Sequence, residues 1–150
     1  MGYSANNGFK AYQEIGVKTA SQGSLVVMLY EGAVSRWEEA IALVDDDNKV
    51  KPGDIEKFGQ KVQKASDIIS ELEASLDMEK GGEIAKNLMS LYIFFNKQLL
   101  SVSLSHDKRT LEGVHKMLSD LLNSWIQAAN SLANTQVQMA NDSPAISING

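Results

Sequence analysis

Ile55, Phe58, Val62, Ala65, Ile69, Leu72 and Leu76 step along the chain by three and four residues without a miss, and the positions between them are mostly Lys, Gln, Asp, Glu and Ser. An apolar stripe with that period is one face of an α-helix buried on a neighbour, the opposite face being left to water. The period recurs in Val27, Tyr30, Val34, Trp37, Ile41 and Val44, then in Ile84, Leu88, Leu91, Phe95, Gln98 or Leu99, and Val102. It returns in Leu111, Val114, Leu118, Leu121, Trp125, Ala128 and Leu132. Short connections force successive helices to run antiparallel. The expected fold class is therefore all-α, an antiparallel up-down four-helix bundle with an N-terminal arm or short helix packed on it.

Local signals set the expected boundaries. Ser21 can cap a first helix over 21–45, which Asp45-Asp46-Asp47 would stop by placing like charges at the negative end of the helix dipole. Pro52-Gly53 punctuates a loop, and Asp54 is the expected cap of the second helix. Asp77 to Gly82 reads as a tight turn whose glycines supply positive φ, followed by a third helix over 83–103. Asp107 is placed to cap a fourth over 108–132. Residues 1–20 form an arm with Phe9, Tyr12, Ile15 and Val17 as apolar beads on a polar string, residues 21–133 the bundle. Residues 134–150 are polar, contain Pro144 and show no period, so they are expected to be a disordered tail.

Composition excludes several functions. A net charge of −5 over 150 residues opposes binding to nucleic acid, which requires a basic stripe, and no Lys/Arg block suits an anionic membrane. Without cysteine there is no disulfide, no thiolate nucleophile and no Cys-based zinc site. No run reaches the roughly 18 apolar residues of a membrane span, and residues 1–8 lack the basic and apolar regions of a signal peptide. Asn6 stands where a myristoylation signal has Ser or Thr. A cytoplasmic protein is expected.

Chemistry is sparse. Glu112 and His115 have the E-x-x-H spacing of di-iron bundles, but no second pair exists and the other seams carry no inward carboxylates, so neither a metal nor a cofactor is expected. His106 reads as a turn residue. No phosphate-binding loop, nucleophile elbow or paired catalytic carboxylates are present, so no enzymatic activity is expected.

The residues beyond the stripes carry more information. Leu25, Val26, Met28 and Leu29 fall outside the first stripe, and Met89, Tyr92, Ile93 and Phe94 outside the third. Burying an aliphatic side chain stabilises by roughly 1.5–3 kcal/mol. Leaving the first group wet would forgo about 6–12 kcal/mol, comparable to a domain's roughly 5–15 kcal/mol of stability. Another helix, the N-terminal arm or a partner must cover this surplus. The alternatives at this point are a crowded bundle, a groove for a helical or extended peptide, and a structural or regulatory bundle with a homodimer interface.

Two strings carry a resemblance. Ala11-Tyr12-Gln13, Val17 to Ser21 and Leu25 through Met28-Leu29-Tyr30-Glu31-Gly32-Ala33 resemble the start of the flagellin export chaperone family, FliS. Ile68-Ile69-Ser70-Glu71-Leu72, Leu76-Asp77 and Gly81-Gly82-Glu83-Ile84-Ala85-Lys86-Asn87-Leu88 through Leu91-Tyr92 resemble its second and third helices. The chain departs from the family's pattern at Phe94, Phe95 and Lys97 and in a longer connection over 45–53. The resemblance implies a cytoplasmic bundle that binds the disordered C-terminal segment of flagellin, prevents premature polymerisation and aids type III export, with an arm that covers part of the surface until flagellin arrives. Other flagellar export proteins are possible partners on the same resemblance. Taken with the surplus, it nominates Tyr12, Ile15 and Val17 of the arm and Leu25, Met28, Leu29, Ile84, Leu88, Tyr92 and Phe95 as partner-binding residues. Periodicity leaves open which of these face a groove and which the core.

Overall fold

The computed structural model describes residues 20–142. Among the described residues four helices follow one another, α1 (Ala20–Ile41), α2 (Ile55–Ala74), α3 (Met78–Ser105) and α4 (Lys108–Asp142), with a 3-10 turn at Pro52–Asp54 before α2. Each helix packs on its neighbours in chain order and α4 closes back on α1, so the cross-section reads α1, α2, α3, α4 around a square. The α3–α4 side is the loosest and α1–α4 among the tightest. The expected all-α up-down bundle is the observed architecture.

The core follows the stripes. Tyr30, Val34, Trp37 and Val44 are buried on the α1 side, Phe58, Val62, Ala65, Ile69 and Leu72 on α2, and Leu111, Val114, Leu118, Trp125, Ala128 and Leu132 on α4. Polar contacts also cross this interior. The hydroxyls of Tyr30 and Tyr92 lie 2.6 Å apart between α1 and α3. The Trp37 indole N–H donates to the Leu111 carbonyl at 2.8 Å, tying α1 to the first turn of α4. At the α2–α3 seam Asn96 accepts from the Ser66 hydroxyl at 3.0 Å and its amide reaches Ser70 and Glu73. At Gly32 α1 lies tight against α2, since a Cβ there would sit 3.2 Å from the Ile68 methyl.

Several boundaries differ from expectation for local reasons. Helix α1 is already formed at Ser21, and it stops at Ile41 rather than 45. Val44 and Val50 form an antiparallel bridge, and the Asp45 carboxylate, instead of merely opposing the dipole, accepts the backbone N–H of Asp47 and Lys49 at 2.8 and 2.9 Å. Asp54 makes no side-chain cap, because it belongs to the 3-10 turn. Asp77 does cap, receiving the Glu79 and Lys80 amides, so α3 begins at Met78 and kinks at Gly82, whose φ of +52° is the positive value expected of that glycine. Asp107 holds the Thr110 hydroxyl at 2.7 Å.

At its far end α4 runs to Asp142, past the last stripe residue, Leu132. Residues 134–142, expected to be disordered tail, are therefore helical. The segment contains Gln, Met and Ala and neither Gly nor Pro, so nothing in it breaks the backbone hydrogen-bond ladder, and Pro144 is the first breaker beyond it. The arm over 1–19 and residues 143–150 lie outside the described residues.

Candidate functional site

The surplus on α1 divides in two. Val26 is buried, and Val27 and Leu29 are partly buried against the core. Leu25 and Met28 stay in water, 57% and 64% exposed. Three residues apart, they share the solvent face of the first turns of α1. Beside Met28, α4 presents Ile126, Ala129 and Asn130, again at helical spacing, and the two helices border a pocket of about 270 Å³ lined by Ser24, Val27, Met28, Ile126, Ala129 and Asn130. No ionisable side chain lines it, and its polar groups, Ser24 and Asn130, are neutral. Such a groove can receive an apolar side chain and offer a few hydrogen bonds at the rim; it has no acid, base or nucleophile.

The remaining nominated residues are spread over the fold. Leu88, Tyr92 and Phe95 are buried in the core of α3, so they do not form a receiving surface in this arrangement. Tyr92, which lay outside the expected stripe, is 2% exposed because α3 turns it inward to meet Tyr30. Ile84 is partly buried on α3. Tyr12, Ile15 and Val17 lie outside the described residues. Since α1 and α3 stand at opposite corners of the square, the core separates Leu25 and Met28 from the α3 set. Sequence reasoning missed Ile126 and Ala129; the available signal was the apolar Ile126 directly after the stripe residue Trp125.

A second concavity, about 460 Å³, lies among Asp46, Asn48, Asp107, Lys108, Arg109 and Glu112. Three of its residues fasten two loops: the Asn48 side-chain oxygen Oδ1 accepts the Lys108 backbone N–H at 2.9 Å, and the Lys108 ammonium reaches Asp46 at 3.3 Å. The backbone N–H of Lys49 is the main reason that the neighbouring Asp45 carboxyl is held below its ordinary value. His115 pairs through Nε2 with the Glu38 carboxylate of α1 at 2.9 Å, leaving Glu112 exposed at the loop pocket. Among the described residues no group of three or more His, Cys, Asp or Glu is placed to hold a metal ion. Among them, too, no helix is long and apolar enough to cross a membrane.

Known proteins carry the same pattern. Residues 5–132 match the family described as flagellar protein FliS. The chain is 38% identical over 126 residues to the flagellar secretion chaperone FliS of Salmonella typhimurium, covering 81% of this chain and 89% of that protein. It is 33% identical over 122 residues to the flagellar secretion chaperone FliS of Vibrio cholerae, covering 79% of this chain and 85% of that one. With the FliS of Bacillus subtilis it shares 28% identity over 125 residues, 83% of this chain and 88% of the relative. A helical bundle with a wet apolar groove on α1 and a match across most of its length: the chain belongs to the FliS family of flagellar proteins.

Proposed function

We propose that this protein is a cytoplasmic, non-enzymatic flagellar secretion chaperone that binds the C-terminal segment of flagellin and keeps it from polymerising before type III export. The observation that carries the reading is the apolar α1–α4 groove, with Met28 left in water beside Ile126 and Ala129 and Leu25 exposed on the same helix. Monomeric proteins rarely leave such residues together without a partner. The family membership says which partner to try first.

The client lies along the groove with apolar side chains against Met28 and Val27. Leu29 and Ile84 support the receiving surface from partly buried positions, while Leu88, Tyr92 and Phe95 act from beneath by fixing the helices that present it. Tyr12, Ile15 and Val17 precede α1 in the chain and compete with the client for the groove. An occupied groove lowers the apparent affinity by the fraction of time that it is closed. A client that orders on binding also loses conformational entropy, so a large contact need not give extreme affinity.

Calorimetric titration with a flagellin C-terminal peptide tests this, using the full chain and a version lacking residues 1–20. One-to-one binding with a large negative heat-capacity change is expected, and tighter binding after truncation. Absence of binding by both proteins rejects the client assignment. Weaker binding after truncation would make the arm part of the site instead of a competitor.

A further inference from the structure

Helix α4 outruns the bundle. Glu38 of α1 pairs with His115, Tyr30 stands beside Trp125, and Ser24 shares a pocket wall with Ile126 and Asn130, so α1 and α4 run antiparallel in one register. Carried on at that register, Ala20 falls level with about residue 134. Helix α3, which has 28 residues and meets α4 through the turn at 106–107, begins at about the same level. The last turns of α4, to Asp142, therefore stand clear of both neighbours over roughly 12 Å. They also lie past residue 132, where the match to the FliS family ends. Between Leu132 and Asp142 there is no charged residue, although 22% of the chain is charged. Asn134, Val137, Gln138 and Asn141 are exposed there, Val137 at 61%, and line an open concavity of about 570 Å³.

This surface prolongs the client groove. Ile126, Asn130, Val137 and Asn141 follow one another by four, seven and four residues, which places them on one line of α4. The first two line the α1–α4 pocket and the last two the open concavity. Size and position decide the occupant. One valine and three amides fall far short of the roughly 1,200 Å² that a specific complex between free partners buries, so a second copy docking here alone would not hold. A chain already seated in the groove needs only a small added contact, because its next residues are held at high local concentration. The protein's own arm is tethered too, but it joins α1 at Ala20 and must double back to reach Met28, away from Val137. The chemistry matches an uncharged client stretch: an apolar side chain against Val137, and amide or hydroxyl groups against Asn134, Gln138 and Asn141, which both donate and accept. Asn, Thr and Val are also weaker helix formers, so turns standing without a neighbour gain stability from whatever packs on them. We infer, resting on the reading of the groove as the client site, that the α4 extension at Asn134, Val137, Gln138 and Asn141 is a second client contact. It takes an uncharged segment of the flagellin chain next to the one in the groove, and the arm leaves it free.

Hydrogen exchange of the full chain with and without a saturating flagellin C-terminal peptide, read by mass spectrometry, tests this together with calorimetric affinities. Amides over 134–141 should gain protection when the peptide is added. Val137→Glu should weaken the peptide by roughly fivefold to tenfold, and Val137→Leu should leave its affinity unchanged. Circular dichroism should show both variants folded, since the position is exposed. Equal losses in the two variants would overturn the apolar contact at Val137. Binding that Met28→Asp weakens and Val137→Glu does not, without added protection over 134–141, overturns this proposal and leaves the groove reading standing. No binding at all, or binding indifferent to Met28→Asp, rejects the groove reading itself and with it the extension. Protection over 134–141 that is present without peptide, and lost when Tyr12→Asp and Ile15→Asp are placed in the full chain, would make the arm the occupant and overturn the proposal. Self-association that Val137→Glu abolishes, measured by sedimentation, would make the occupant a second copy and do the same.

Discussion

The hydroxyl oxygens of Tyr30 and Tyr92 lie 2.6 Å apart in the buried centre of the bundle, joining α1 and α3 across a diagonal that the helix backbones do not bridge closely. Their rings are 6.3 Å apart and tilted by 57°, and the Trp125 ring stands 6.2 Å from Tyr30. An interior polar contact of this kind restrains the rotation of two helices about their axes as well as adding stability, because the two hydroxyls must keep facing each other.

Replacing Tyr92 by Phe removes one hydroxyl and leaves the ring. Unfolding in urea should show a loss of about 1–2 kcal/mol, the range for breaking a buried hydrogen bond. The double variant Tyr30→Phe, Tyr92→Phe should cost less than the sum of the two single losses, since after the first change the second hydroxyl has already lost this partner. Additive losses would show that the two hydroxyls do not act as a pair.

Groove and core residues should separate cleanly in a comparison of stability with binding. Met28→Asp changes an exposed side chain, so stability should move by no more than about 0.5 kcal/mol while affinity for a flagellin C-terminal peptide falls at least tenfold. Phe95→Ala empties a fully buried site and should cost about 3–5 kcal/mol. Leu88→Asp would place a carboxylate in the core and should unfold the protein rather than report on a surface. Unchanged affinity in a folded Met28→Asp variant would remove Met28 from the site.

Gly113 lies inside α4 with open space around its Cβ position. A glycine in a helix interior costs roughly 0.5–1 kcal/mol relative to alanine, through the backbone freedom it retains when unfolded. Gly113→Ala should therefore raise the urea midpoint by a corresponding amount with no change in slope. A lower midpoint would mean that α4 needs glycine here for a reason other than space.

The Asp45 carboxylate receives backbone N–H groups from Lys49 and Asp47, and the Lys49 amide is the largest cause of its pKa lying below the ordinary 3.8. A carboxyl with a depressed folded pKa contributes stability above its unfolded value and loses it as the pH falls through the folded value. Thermal melts below about pH 4 should thus show a small acid-induced loss of stability that is reduced in Asp45→Asn. The effect is small because Asp45 is exposed to solvent. Identical acid profiles for the two proteins would show that the loop does not depend on the ionised carboxylate.

The three-and-four stepping was sufficient for the four helices and most of their buried faces, because a helix can hide only one stripe and the period reveals which residues share it. Phe58 to Leu72 and Leu111 to Leu132 follow that pattern closely. Periodicity could not separate Val26 from Met28, or Tyr92 from Ile93, because neighbouring positions differ by only about 100° around a helix and burial depends on where the adjacent helices stand. Packing decided those cases: α4 leaves Met28 at an open groove, while Tyr30 draws Tyr92 into the core. Packing also moved the C-terminus of α1 from the Asp45 run to Ile41, through a bridge between Val44 and Val50 that no helical pattern announces. The sequence by itself determined the fold class and that apolar side chains exceeded the need of the core. Only the tertiary structure decided where the excess surfaces, because whether a side chain is wet is a property of its neighbours in space.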